Sequence, residues 1–257
     1  MAFDSLGNQQ EKATDLLIPL TRGRYVARTA TCAADVAAAQ ALRAQCFGLG
    51  ALPDSDVIDT RATHVLIEER TSGTLVCCFR LLAVHGADLP HCYAARYYGL
   101  NRLQSFDGLM MELGRFCVHP DWREPDILRL AWAAMTQVVD ARDVQLLFGC
   151  SSFVGVETAP YLDAFAMLKA RYLAPARWSP KVKAPDVFRY AAQLRHIPDA
   201  KKAMATLPPL LRSYLLMGGR VSDHAVVDHR MNTLHVFTGV EIGAIPAARK
   251  RLLRALA

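Results

Sequence analysis

A carboxylate and a guanidinium sit three residues apart inside an otherwise apolar run, Leu109-Met110-Met111-Glu112-Leu113-Gly114-Arg115-Phe116-Cys117-Val118. The run has strand length, and a nearly continuous apolar strand belongs inside a sheet that is covered on both faces. Ionised groups in such a place are costly unless they are paired or functional. On a regular strand, positions three apart point to opposite faces. Glu112 and Arg115 therefore meet as an ion pair only if the strand bulges, and Gly114 between them is the natural bulge residue. The run demands either a buried structural pair or a reaction centre.

The remaining pattern supplies the sheet around it. Arg24–Ala30 reads as a short strand after a loose arm over residues 1–22, and the alanine-rich Ala33–Phe47 as a helix. Gly48–Thr60, with two glycines, a proline and three aspartates, is a loop. Thr63–Glu69 and Thr74–Leu82 form a hairpin about Thr71-Ser72-Gly73. Ala87–Gln104 is mixed, with room for a short helix beside Tyr93, Tyr97 and Tyr98. Glu124–Ala141 is a helix with Pro125 in its first turn and a stripe of Ile127, Leu130, Ala134 and Val138. Gln145–Cys150 is a central strand and Thr158–Tyr172 a helix; residues 173–207 are an extended, basic, proline-punctuated segment. Pro208–Met217 and Ala247–Ala257 are helices, with strands at Val221–Asp228 and Thr233–Val240 between them. The order implies an α/β class, with a mixed, mostly antiparallel central sheet flanked by helices, in one domain over 23–257.

Composition excludes several functions. No run approaches the roughly 18–20 apolar residues of a membrane span. The N-terminus places Asp4, Glu11, Lys12 and Asp15 before its apolar residues, unlike a secretory signal. Seven cysteines without a C-x-x-C spacing suit a reducing compartment, and a cytoplasmic location is expected. The eight histidines are scattered, so no metal site is expected. A net charge of +6 implies an acidic partner. Basic and aromatic residues are not interleaved, which argues against nucleic acid.

The run Glu112-x-x-Arg115-Phe116-x-Val118 resembles the fourth-strand motif of acyl-homoserine lactone synthases and of ornithine lipid N-acyltransferases, both within the GNAT acyltransferase superfamily. Further matches follow in order: Arg43-x-x-x-Phe47, Asp56-x-x-Asp59 before His64-Val65-Leu66, and Phe79-Arg80-Leu81-Leu82. His119-Pro120-Asp121, Leu147 to Phe153, Leu207 to Leu215, Asp228 and Asn232-Thr233 are closer to the ornithine enzymes. The resemblance implies a GNAT-like fold and transfer of a 3-hydroxyfatty acyl group to the α-amino group of ornithine, giving a lyso-ornithine lipid. It implies an acyl carrier protein as partner, whose phosphopantetheine arm delivers the acyl group, and no bound cofactor. Glu112 is then the general base, directly or through a water, with Arg115 beside it in a network of Arg43, Asp56, Asp59 and Arg80. Asp56 and Asp59 suit a cationic amino acid, Phe47 and Phe116 the acyl pocket, and Ser152 the leaving thiol. Cys117 and Cys150 are expected to be core thiols.

Most GNAT enzymes cradle the coenzyme A pyrophosphate on a glycine-rich loop. Here that stretch reads Asp121-Trp122-Arg123-Glu124-Pro125-Asp126, without glycine and with two acids that repel pyrophosphate at a helix N-terminus. A carrier protein is the better donor, with Arg123 and Arg129 among the residues that meet its acidic surface. Acylation of glutamine or another amino acid, homoserine lactone synthesis, and a non-catalytic module that docks the carrier protein are the alternatives. The helix at Ala247–Ala257, basic on one side and leucine-rich on the other, is a candidate contact with the inner face of an anionic membrane.

Overall fold

The computed structural model describes residues 17–50 and 52–255. Its strands are β1 (Leu20–Arg22), β2 (Tyr25–Thr29), β3 (Thr63–Glu69), β4 (Leu75–Val84), β5 (Tyr98–Gly99), β6 (Leu109–Val118), β7 (Val144–Val154), β8 (Lys181–Val182), β9 (Val187–Phe188), β10 (Arg220–Val221), β11 (Ala225–Asp228) and β12 (Thr233–Glu241). The helices are α1 (Ala33–Phe47), α2 (Pro125–Ala141), α3 (Leu162–Arg171), α4 (Tyr190–Gln193), α5 (Ala200–Thr206), α6 (Pro209–Leu216) and α7 (Ala247–Arg254). No helix among the described residues is long and apolar enough to cross a membrane.

Local chemistry sets the boundaries that matter for the site. Helix α1 stops at Gly48, whose φ of 66° provides the left-handed C-cap while its N–H bonds back to the last turn. Helix α2 begins at Pro125 and buries the stripe of Ile127, Leu130, Ala134 and Val138. Strand β4 is buried along nearly its whole length, as a central strand must be.

A ten-stranded sheet runs in the order β1-β2-β3-β4-β6-β7-β12-β11-β9, with β10 also paired to β12. Only β6 and β7 pair in parallel among its named strand pairs. One face carries α1, packed on Leu66, Cys78 and Cys117, and then the segment after β4, packed on Leu82, Met110, Phe148 and Phe237. The other carries α2, packed on Val65, Leu81, Met111 and Leu113.

Parallel pairing of β6 with β7 runs from Leu109 opposite Val144 to Leu113 opposite Gly149, and then stops although both strands continue. Beyond that point β6 stays with β4 and β7 stays with β12, so the sheet forks. Gly149 sits at the vertex because a Cβ there would lie 2.4 Å from the Leu113 carbonyl oxygen.

Several elements depart from the sequence expectations. Leu20–Arg22, assigned to the arm, is a strand paired with β2; the part of the arm at 1–16 lies outside the described residues. Residues 86–103 hold three short 3-10 helices and β5 instead of one helix. The expected strand at Val221–Asp228 is broken into β10 and β11. Ser222 causes this break: its hydroxyl donates to the His224 carbonyl at 2.7 Å and accepts from the Phe237 N–H at 3.1 Å. Segment 173–207 contains β8, β9, α4 and α5.

Gly149→Ala should cost about 1–3 kcal/mol through the forced separation of β6 from β7. Thermal denaturation followed by circular dichroism should show a midpoint several degrees lower, with the transition still cooperative.

Candidate active site

Four guanidiniums and three carboxylates meet on the α1 face of the sheet. Arg43 of α1 grips Asp59 with two parallel bonds of 2.9 and 2.8 Å and reaches Asp54 from Nε at 2.9 Å. Arg80 of β4 donates to Asp59 at 2.7 Å and to Asp56 at 3.4 Å. Arg115 of β6 donates from Nε to Asp54 at 2.6 Å, and Arg96 bonds Asp56 at 2.8 Å. The core of this network is out of water, with Arg43 and Arg80 only 1% and 2% exposed. Bidentate, charge-assisted bonds of this kind are what a buried guanidinium needs. The spacing Asp56-x-x-Asp59 also has a local cause. It is a capping box on the 3-10 turn Val57–Thr60, in which each aspartate accepts a backbone N–H.

Arg115, Arg43, Asp56, Asp59 and Arg80 thus share the expected network, and Asp54, which the sequence reading passed over, is its third carboxylate. Glu112 is not part of it, and the expected alternative of a Glu112–Arg115 pair does not form. The bulge lies one residue later than expected. Gly114 still pairs with Arg80, whereas Arg115 and Phe116 together stand opposite Phe79, between the Arg80–Gly114 and Cys78–Cys117 pairs. Arg115 itself takes the left-handed φ of 55°, a strained choice for an arginine. Its bonds to Asp54, and its stacking over Tyr93 at 4.7 Å and Phe47 at 5.8 Å, hold it there. Asp56 and Asp59 do not wait for a substrate cation, because their oxygens are already taken by arginines.

Glu112, 3% exposed, accepts the backbone N–H of Tyr93 at 2.8 Å and of Ala94 at 2.7 Å. Burial raises its pKa, although those two amides oppose the shift. The carboxylate fastens the 3-10 turn Ala94–Arg96 to the sheet, and that turn carries Tyr93, Arg96 and Tyr97 to the mouth of the fork.

The fork opens into a cleft of about 680 Å³. Its walls come from both faces of the sheet: Arg80, Tyr93 and His235 from one, Leu113, Leu211 and Tyr214 from the other. The cleft therefore passes through the gap between the parted strands. Phe47, Phe116 and Ser152 line it, and so does Cys150. A smaller polar recess of about 220 Å³ adjoins it, bounded by Asp56, Arg96, Arg115 and Arg230. Asp228 and His235, given no role by the sequence reading, also line the cleft.

The acetyltransferase (GNAT) domain family matches residues 46–133. An L-ornithine N(alpha)-acyltransferase of Rhodobacter capsulatus is 30% identical over 229 residues, covering 82% of this chain and 88% of that protein. The chain belongs to the L-ornithine N(alpha)-acyltransferase family. A second member, from Rhizobium meliloti, is 30% identical over 240 residues, with 85% and 80% covered. FeeM, an N-acyl amino acid synthase from uncultured soil microbes, is a weaker likeness with a TM-score of 0.48 at 10% identity, covering 88% of this chain and 93% of that one.

The loop after β6 and the start of α2 are rich in charge. Glu124 pairs with Arg24, and Asp126 with Arg22 at 2.8 Å and Arg129 at 3.0 Å. The acids expected to repel pyrophosphate are thus neutralised by Arg22 at the end of β1, Arg24 in the β1–β2 turn and Arg129 of α2. Arg129 is correspondingly not a free cation, whereas Arg123 is exposed and its Nε donates to the Pro120 carbonyl at 3.2 Å. Cys78 and Cys117 lie in the core with their sulfurs 3.5 Å apart. Cys150 departs from the core position expected of it: it is half-buried on the cleft wall, where desolvation raises the pKa of its thiol.

Arg43→Met should leave Asp54 and Asp59 buried with too few partners and destabilise the fold by about 3–5 kcal/mol, read from urea unfolding. Acid should act on the same core. Burial pushes the Asp59 carboxyl up, but bonds from Arg43, Arg80 and Gln40 outweigh it and hold the group well below the usual carboxylate range. The unfolded chain therefore takes up this proton first. That stability is complete above about pH 4 and is lost as pH falls through the folded value. Burial also lowers His235 to about 4 from 6.5, so a further loss runs between those values as the unfolded imidazole charges. The urea midpoint should fall from pH 7 to pH 4 and again below it, and His235→Gln should flatten the first fall.

Proposed function

We propose that the chain transfers a fatty acyl group from an acyl carrier protein thioester to the α-amino group of ornithine, releasing an N-acylated ornithine and the carrier thiol. The observation that carries this reading is the through-sheet cleft, ion-rich on the α1 face and apolar on the α6 face, in a chain of this family. The polar end suits a zwitterionic amino acid. The apolar end, with Leu210, Leu211 and Pro208 on its wall, suits an acyl chain.

Beyond Leu113, β6 has a sheet partner only on the β4 side, so its alternate backbone groups face the cleft. An extended phosphopantetheine arm can bond that free edge as an added strand does. The backbone N–H groups of that free edge within 116–118 serve as donors to the thioester oxygen as it gains charge. The nitrogen attacks the thioester carbon, forming the C–N bond. The C–S bond then breaks; the Ser152 hydroxyl gives its proton to the departing sulfur and is re-protonated by the second proton that the nitrogen sheds as the amide forms.

An α-ammonium has a pKa near 8 and must lose a proton before attack. Glu112, with its pKa raised by burial, takes that proton through a water, since its carboxyl does not itself line the cleft. No acyl-enzyme is required, because both reactants are held at one fork. The stretch 121–126 lacks the glycines that cradle a pyrophosphate, which favours a carrier protein over free coenzyme A, and Arg123 and the net charge of +6 suit the carrier's acidic surface.

The purified protein, supplied with 3-hydroxyacyl carrier protein and ornithine, lysine, glutamine or glycine in turn, should yield acylated ornithine by mass spectrometry. Glu112→Gln should lower kcat at least a hundredfold, and the carrier thioester should exceed the coenzyme A thioester in kcat/KM. No acylated amine with any acceptor, despite carrier binding, would leave a docking module in place of the enzyme.

A further inference from the structure

Asp228 is a buried carboxylate without a cation. It is 5% exposed and lines the cleft, yet its two bonds come from neutral groups: the Tyr97 hydroxyl to Oδ2 at 3.0 Å and the Met231 N–H to Oδ1 at 3.0 Å. Among the described residues it makes no ion pair, whereas Asp54, Asp56 and Asp59 each hold at least one guanidinium. A desolvated carboxylate with spare acceptor capacity at a cleft wall is stabilised by a cation arriving from the cleft.

His235 stands beside it. The registers Asp228–Thr233 and Val226–His235 put both side chains on one face of the β11–β12 pair, and the Tyr97 ring packs edge-on against the imidazole at 4.8 Å. The Tyr98 hydroxyl has one proton and donates it to the His235 carbonyl at 2.8 Å, so His235 Nδ1 donates to the hydroxyl oxygen at 3.1 Å. That assignment leaves Nε2 as a bare acceptor. It is buried, it has no hydrogen-bond partner, and the residue lines the cleft. Burial keeps the ring neutral near pH 7.

We infer that Asp228 and His235 form a seat for the side-chain ammonium of the acceptor amino acid, held in place by Tyr97 and Tyr98. The pair offers one anion and one neutral acceptor, which matches a primary ammonium with its three N–H donors. The inference rests on the reading that ornithine is the acceptor. Strand β11 lies two strands beyond β7, roughly 10 Å at normal strand spacing. An extended ornithine carries its two nitrogens about 6 Å apart, and a hydrogen bond of about 2.8 Å to the Asp228 side chain, which itself lines the cleft, covers most of the remaining span. A neutral side chain leaves Asp228 buried and uncompensated, so the seat selects against it.

The test compares ornithine with norvaline, which has the same carbon chain without the side-chain amine. Binding is followed by calorimetry and acylation by mass spectrometry. The wild-type protein should prefer ornithine about tenfold or more, and isosteric Asp228→Asn should bring ornithine down to the level of norvaline, chiefly through KM. His235→Phe should erode the same preference while His235→Gln, which retains an acceptor, keeps part of it. A wild type that does not distinguish the two amino acids overturns the seat even if no variant folds. So does an Asp228→Asn protein with an unchanged ratio. Preferential binding of ornithine, lost in Asp228→Asn, without acylation of any amine would uphold the seat and sink the proposed reaction instead.

Discussion

The buried arginine–aspartate network is what permits the rest of the structure to take its shape. The loop between α1 and β3 has little apolar surface to offer the core, and its Leu52 and Val57 side chains point into solvent. Carboxylates anchor it instead, through Arg43 on the helix, Arg80 on β4 and Arg115 on β6. Because Asp59 answers two arginines and Asp54 two, removing any one member strands another charge. The same bonds stabilise the left-handed backbone at Arg115. They therefore maintain the bulge that turns β6 away from β7, and an electrostatic cluster thereby sets the shape of a cleft whose walls are largely apolar.

Polarity is divided along that cleft in a way that follows from sheet geometry. Strand side chains alternate between faces, so Arg80, Cys150, Ser152 and His235 belong to one surface and Leu113 and Ser151 to the other. Where the strands are paired, the two surfaces are sealed from each other. Where they part, the two chemistries become ends of one passage. Glu112 lies at the edge of this arrangement, behind the turn it fastens, and determines how closely Tyr93 and Tyr97 approach the opening.

Much of this was legible from residue order. Helix α1 follows from its alanine-rich run and the glycine that closes it, α2 from its amphipathic stripe and first-turn proline, and the hairpin of β3 and β4 from its turn chemistry. Charged residues inside apolar runs marked Arg80, Glu112 and Arg115. What remained hidden depends on contacts between distant segments. The partner of Arg115 is Asp54, 61 positions away in a loop whose aspartates look solvated by composition. Asp228 stands out only through the family resemblance, with no role attached, and His235 sits inside an apolar strand, where a lone histidine carries no local signal. Their surroundings are created by Tyr97 and Tyr98, more than 130 positions earlier. The placement of the bulge was missed for a related reason: glycine is the usual occupant, but tertiary bonds can hold an arginine in the same backbone state.

The strand order carries a consequence for how the molecule is assembled. Strand β12 lies between β7 and β11, so β7 has no neighbour on that side until residues 233–241 have been made. Until then a long apolar edge stands open next to the half-formed fork, and this is the kind of edge that recruits other chains. Closing it joins segments some 80 positions apart in sequence, an entropically slow step. The passage through the sheet is thus among the last features to form, and a nascent chain halted before β12 would expose sticky β-structure without a functional site.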